Sequence, residues 1–284
     1  MKRTEIGTCS WKYPEWDIYP DNADTGLLKY YAGIYRTVEV DQWFWSLFYG
    51  SRPKLPDPSI AADYAQNAGD DFTFCIKIPN SITLTHYYKN QTSGKSEKNP
   101  WFLSHELFQA FYESISPLCL NPPRLNFQFE YLNKAKMSGI SEFISRLDGF
   151  FGSIKTEADC CIEIRNQAYY QDEYFDFLNR KKLYPVLLQG YFMDDIWLTA
   201  RKYYDMMPER LVIRLLGRDR DEIEKLANRK WDRIVLDKDN ELETISKMIR
   251  YFEKHNKFIS VYVNNHYEGS APLTIRKLVK LLDE

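Results

Sequence analysis

The chain has 284 residues, with 38 Lys and Arg against 40 Asp and Glu for a formal net charge of −2, and it is 44% apolar and 16% aromatic. These numbers describe a soluble globular protein and exclude both a disordered chain and a globally basic nucleic-acid binder, although a local basic patch stays open. No apolar run reaches the roughly 18 residues of a membrane helix, and the start "MKRTEIGTCSW" lacks a secretory pattern. The five cysteines have no CxxC spacing and read as reduced, buried thiols, so a cytoplasmic protein is expected; a nucleophilic Cys9 is the sharper alternative.

In chain order, "RTEIGTC" (3–9) reads as a strand and is followed by helical spacing at Leu27, Leu28, Tyr31 and Ile34. Strand patterns follow at "TVEVD" (37–41) and "FTFCIKI" (72–78), then a polar stretch "YYKNQTSGKSEKNPWF" (87–102) that reads as a solvated loop or a mobile lid. "RLNFQFE" (124–130) is the fourth strand, and Phe143, Ile144, Leu147, Phe150 and Phe151 mark a helix. "CCIEIR" (160–165), "YPVLLQ" (184–189), "RLVIRLL" (210–216) and "FISVYVNN" (258–265) complete eight strands, with a last helix at Leu273, Leu278 and Leu281. "RIVLDKDNEL" (233–242) reads as a ninth short strand outside the wall. Strands alternating with helices over 1–284, without a linker, predict one (β/α)8 TIM-type barrel domain.

Parallel strands buried on both faces should be almost wholly apolar, yet these are interrupted. Glu39, Lys77, Gln128, Glu163, Arg165, Gln189, Arg214 and the run Asn264-Asn265-His266 fall among large apolar neighbours in the later halves of their strands. Side chains alternate across a strand, so the apolar set packs the helices and the polar set is expected to face the barrel axis near the C-terminal mouth, where barrel enzymes carry their sites. Lone buried charges are costly, so these groups must form a network, whether self-satisfied or serving a ligand.

With those residues in view, the chain resembles the YecE-like family, a domain-of-unknown-function family with a (β/α)8 barrel. The resemblance runs from "IGTCSWKYPEW" through "YYAGIYRTVEVDQWFW", "FTFCIKIP", "FQFE" and "IEIRN" to "VYVNNHYEGSAP". It implies Trp11, Glu39, Lys77, Gln128, Glu163, Arg165, Asn265 and His266 as characteristic residues. Cys9-Ser10, Asp41-Gln42, Leu216 and the offset Thr85-His86 depart from the family pattern. The family brings a fold and no established activity.

Four histidines, His86, His105, His255 and His266, share no ligand spacing, so neither a zinc cluster of the endonuclease-IV kind nor any other metal or cofactor is expected. Glu39 and Glu163 lie on strands two and five rather than the four and seven of the large retaining glycosidase clan. Lys77, Arg165 and Arg214, joined by Gln128, Asn264 and Asn265, instead suit a phosphate or carboxylate. Trp11, Trp16, Trp43 and Trp45 follow strands one and two, either packed beneath loops or, with Trp11 and Trp43 foremost, stacking on a base or sugar. The expectation is a metal-independent hydrolase or lyase for a small or terminal phosphorylated, sugar- or nucleotide-like substrate. In it, Glu163 is the general acid or base, Glu39 the second carboxylate and His266 a proton shuttle. The rival is a non-catalytic nucleic-acid-binding module that uses the rim aromatics with Lys89, Lys95 and Lys98.

Overall fold

The computed structural model describes residues 3–23, 25–218 and 220–284. Eight parallel strands close into a barrel in sequence order: β1 (Thr4–Thr8), β2 (Thr37–Val40), β3 (Thr73–Lys77), β4 (Arg124–Gln128), β5 (Asp159–Glu163), β6 (Tyr184–Gly190), β7 (Arg210–Gly217) and β8 (Phe258–Val263). Each matches its sequence pattern to within a few residues, because β-branched and aromatic side chains at period two suit a wall packed on one face by helices. Arg165 falls two positions beyond the end of β5.

The helices described are α1 (Leu27–Ala32), α2 (Pro58–Ala68), α3 (Asn80–Thr83), α4 (His105–Ser114), α5 (Ile140–Ser153), α6 (Asp172–Lys181), α7 (Ile196–Tyr203), α8 (Arg220–Ala227), α9 (Asp239–Lys254) and α10 (Ala271–Asp283). None is long and apolar enough to cross a membrane among the described residues. Local signals set their starts. Asp57 caps α2 by accepting from Ser59 N, with Pro58 in the first turn, and Ser104 caps α4 by accepting from Leu107 N. In α9, Leu242, Ile245, Met248, Ile249 and Phe252 recur at helical spacing and are buried. Between wall and helices lies an aromatic layer in which Phe108 meets Phe127 and Phe150 at ring distances of 5.8 and 5.7 Å.

One sequence expectation is corrected. Residues 233–242 form no ninth strand: the apolar run at Ile234–Leu236 is a loop whose Val235 and Leu236 amides both donate to the Glu268 carbonyl, and α9 begins at Asp239. The 87–102 stretch is tethered to its neighbours at several points. His86 and Lys98 form an antiparallel bridge, Asn99 is buried and donates to the Ser81 and Leu84 carbonyls, and Gln91 bonds Tyr49 N and Leu47 O.

Near the mouth the wall bends between β6 and β7. The register shifts at Gln189/Gly190, and Gly190 pairs with Gly217. A Cβ on Gly190 would lie 2.1 Å from the Gly217 carbonyl oxygen, and one on Gly217 would lie 2.2 Å from that of His266; their φ values are +130° and +76°. Only glycine allows backbones this close in this conformation. Tyr191 follows with φ 51°, left-handed for a bulky residue, so the bulge turns the chain over the mouth.

Candidate functional site in the barrel mouth

Arg214, near the end of β7, organises the lumen. One terminal nitrogen is 2.7 Å from Glu163 Oε2 and 3.4 Å from Gln128 Oε1; the other is 2.6 Å from Glu39 Oε1 and 4.0 Å from Cys9 Sγ. Glu39, Glu163 and Arg214 are 1%, 0% and 3% exposed. Arg165 donates from Nε to Glu163 Oε1 at 2.9 Å, with its Nη2 at 2.6 Å from the same oxygen. Asn126 donates to Glu163 Oε2 at 3.2 Å. Asn126 is in phase with Gln128 on β4, and that alternation is the sequence signal for it.

Two cations keep donors for the mouth. Lys77 is 9% exposed, and its ammonium has no hydrogen-bond or ion-pair partner among the described residues; it rests 4.1 Å from the Phe44 ring centroid. Phe44 is held in turn because its carbonyl accepts from Asn80 N, while Asn80 Oδ1 accepts from Ser46 N and Leu47 N. Arg165 has its guanidinium 4.4 Å from the Tyr191 ring, and its Nη1 has no protein partner among the described residues. Lys77, Arg165 and Arg214 stand against Glu39 and Glu163, with the Asp41 carboxylate also within electrostatic reach of Glu39 and Lys77.

The two carboxylates are driven apart. Burial raises Glu163, but Arg214, Arg165, Lys77 and the Asn126 amide outweigh it and hold the carboxyl at about 2. Burial raises Glu39 above the ordinary value, only partly offset by Arg214 and Lys77 and reinforced by the Glu163 charge, because the guanidinium is shared. Glu39 Oε2 is buried without a partner among the described residues, where a proton is readily carried. Lys77 is lowered, first by burial and then by Arg214. Burial also pushes the Cys9 thiol well up, which works against a thiolate nucleophile.

The depressed Glu163 gives a pH window. Its folded value of about 2 lies below 4.5, so the unfolded chain binds more protons between them; the stabilisation is complete above about 4.5 and is lost as pH falls toward 2. We expect this group alone to contribute roughly 3 kcal/mol over that window. Urea unfolding of the wild type and Glu163→Gln at several acidic pH values checks it, and equal pH slopes in the two proteins would contradict it.

The other expected residues lie elsewhere. Ser260 and Tyr262 of β8 pair in register with Val212 and Arg214, and Asn264, one residue past the strand, continues that phase, so Asn265 is out of phase; its Oδ1 accepts from Ala271 N at the start of α10. Gln189 is likewise out of phase on β6 and bonds Asp195 and Ile196 N at the start of α7. Asn264 Oδ1 accepts from His266 N and sits 2.6 Å from His266 Nδ1, and His266 Nε2 lies 3.0 Å from Glu224 on α8. Arg214 is committed to its two carboxylates rather than to the mouth. Trp11 is buried edge-on to Tyr64 at 4.8 Å, Trp43 is half-buried 6.0 Å from the same ring, and Trp16 is buried; Trp45 is exposed beside Phe44 and Tyr88. His105 and His255 are exposed.

Among the described residues, Asp237, Asp239 and Glu268 form a group of metal-ligand type. It lies outside the barrel lumen, and the Lys277 ammonium already pairs with Asp239 and, at 2.7 Å, with Glu268. The five cysteines are free thiols.

The family model described as "Protein of unknown function DUF72" matches residues 5–284. The chain belongs to the DUF72 family. Crystal structures of two DUF72 family proteins are similar. The one from Enterococcus faecalis shares 18% identity at a TM-score of 0.68 over 99% of this chain and 96% of its own. The one from Thermotoga maritima shares 19% at 0.66 over 99% of each. At such identities they show the barrel fold. No curated protein matches the chain. The DUF72 assignment agrees with the YecE-like resemblance of the sequence and brings no substrate.

Proposed function

We propose that the barrel mouth binds a small anionic substrate, a phosphate or carboxylate compound, and performs acid–base chemistry on it as a hydrolase or lyase. The observation that carries this reading is the division of donors: Arg214 bridges the two buried carboxylates and Arg165 also pairs with Glu163, while the Lys77 ammonium and Arg165 Nη1 keep donors for a guest. A self-satisfied network has no need of a third cation buried without an ion pair. Lys77 and Arg165 hold the anion, Glu39 with its raised carboxyl carries the proton, and Glu163 stays ionised and fixes both arginines. Free thiols suit the reducing cytoplasm, where phosphorylated metabolites are plentiful.

Calorimetric titration with inorganic phosphate tests it. Wild type should bind, and Lys77→Met and Arg165→Met should each weaken binding by tenfold or more. Lys77→Met should melt no lower than the wild type in phosphate-free buffer, because its ammonium has no ion pair to lose. Absence of phosphate and sulfate binding, together with tight, steeply salt-dependent binding of single-stranded nucleic acid, would favour the nucleic-acid module instead. In that case the exposed Lys89, Lys95 and Lys98 near Trp45 and Tyr88 become the relevant surface.

A further inference from the structure

Beside Arg165 the mouth opens into a cleft of about 540 Å³ between the loops after β4, β5 and β6. Its walls include Tyr131, Tyr191 and Phe192, with Gln128 and Arg165 at its inner end. The space is of the size that takes whole small-molecule ligands, far more than a phosphate or carboxylate fills. Phe192 is 100% exposed and Tyr131 64%. Two aromatic faces open to water beside a cation whose Nη1 has no protein partner among the described residues make a composite surface, apolar on its flanks and positive at its base.

The backbone aims it. Gly190 and Gly217 approach too closely for any side chain, and the bulge between them sends Tyr191 over Arg165 and leaves Phe192 at the lip. Asn166 fixes the opposite wall, since its side chain bonds Leu132 N at 2.8 Å and Leu132 O at 2.9 Å, just after Tyr131. Left-handed backbone at a residue such as Tyr191 is strain of the kind that concentrates at ligand sites.

We infer that the anion of the proposed function carries a ring with an apolar face, which lies in this cleft against Phe192 and Tyr131 while its charged group reaches Arg165. The inference rests on the anion reading and adds the body of the substrate to its charge. An aromatic ring and the apolar face of a sugar both satisfy such a surface.

The test titrates three probes, inorganic phosphate, phenyl phosphate and glucose 6-phosphate, into the wild type and into Phe192→Ala/Tyr131→Ala. Both positions are solvent-exposed, so the double variant should fold. We expect phenyl phosphate, glucose 6-phosphate or both to bind about tenfold tighter than inorganic phosphate to the wild type. Which one does so identifies the ring. In the double variant the preference should shrink to within about threefold, with inorganic phosphate measured on the same protein as the reference. Equal binding of all three probes to the wild type, or a preference that survives in the double variant, overturns the ring subsite and leaves the anion site standing. Failure of all three to bind the wild type overturns both.

Discussion

Replacing Arg214 with methionine should destabilise the protein by about 3–5 kcal/mol, the usual penalty for removing one partner of a buried ion pair. The guanidinium is 3% exposed and bonds Glu39 at 2.6 Å and Glu163 at 2.7 Å. Without it, two buried carboxylates lose their shared partner, and Lys77 and Arg165 are the cations left near them. The loss should show as a fall in melting temperature on the order of 10 °C. It should also carry a distinctive pH signature: Arg214→Met should gain more stability than the wild type as pH is lowered toward 5, because both of its stranded carboxyls titrate upward, whereas in the wild type Glu39 is raised and Glu163 is depressed. The double variant Arg214→Met/Glu39→Gln should recover part of the loss, since one orphaned charge is removed while Glu163 keeps Arg165 as its partner. A single variant as stable as wild type at neutral pH would show that the network is not what holds these carboxylates.

Gly190→Ala is the second large effect. The new methyl would sit 2.1 Å from the Gly217 carbonyl oxygen at a φ of +130°, so backbone, not a flexible side chain, must move. We expect a loss of at least about 3 kcal/mol, with the loop bearing Tyr191 and Phe192 displaced. Urea unfolding reads the first, and the environment of Tyr191 over Arg165, followed by NMR, reads the second. An alanine tolerated within about 0.5 kcal/mol would mean that the close approach of β6 and β7 is not required by the fold.

The barrel was legible because each strand carries its period-two pattern plainly: "TVEV" and "RLVIRLLG" leave little choice of face. The lumen charges were legible for the same reason, and Glu39, Lys77, Glu163 and Arg214 converge because they occupy in-phase positions near the ends of their strands. Where phase was not respected, the reading slipped. Gln189 and Asn265 looked like lumen residues by their neighbours, yet parity sends each outward to the start of the next helix. The pairing of charges was not legible at all. Three basic residues on alternate strands looked like one clamp, and only geometry showed that Arg214 is engaged by acids while Lys77 is not. Tyr191 and Phe192 were invisible for a different reason: they gain their place from a bulge whose cause is two backbones touching, and no side-chain periodicity records that. The run Ile234–Leu236 misled in the opposite sense, since an apolar triplet satisfied by a single carbonyl reads like a strand.

At the far end of the barrel the lumen is shut. Arg124 pairs with Glu5 at 2.7 Å and lies 3.5 Å from the hydroxyl of fully buried Tyr262, which is 2.8 Å from Thr37 Oγ1, and Arg210 pairs with Asp159 at 3.0 Å. Buried side chains such as Tyr262 fill the barrel between the mouth and a separate pocket at this end lined by Glu5, Arg124 and Arg210, so a guest at Lys77 would enter and leave by the mouth. A polymer presents only its terminus to such a site and is never threaded through it. Under the proposed function, arrival and departure would exclude each other: the mouth would hold one guest at a time, and an accumulating product would compete directly with the next substrate.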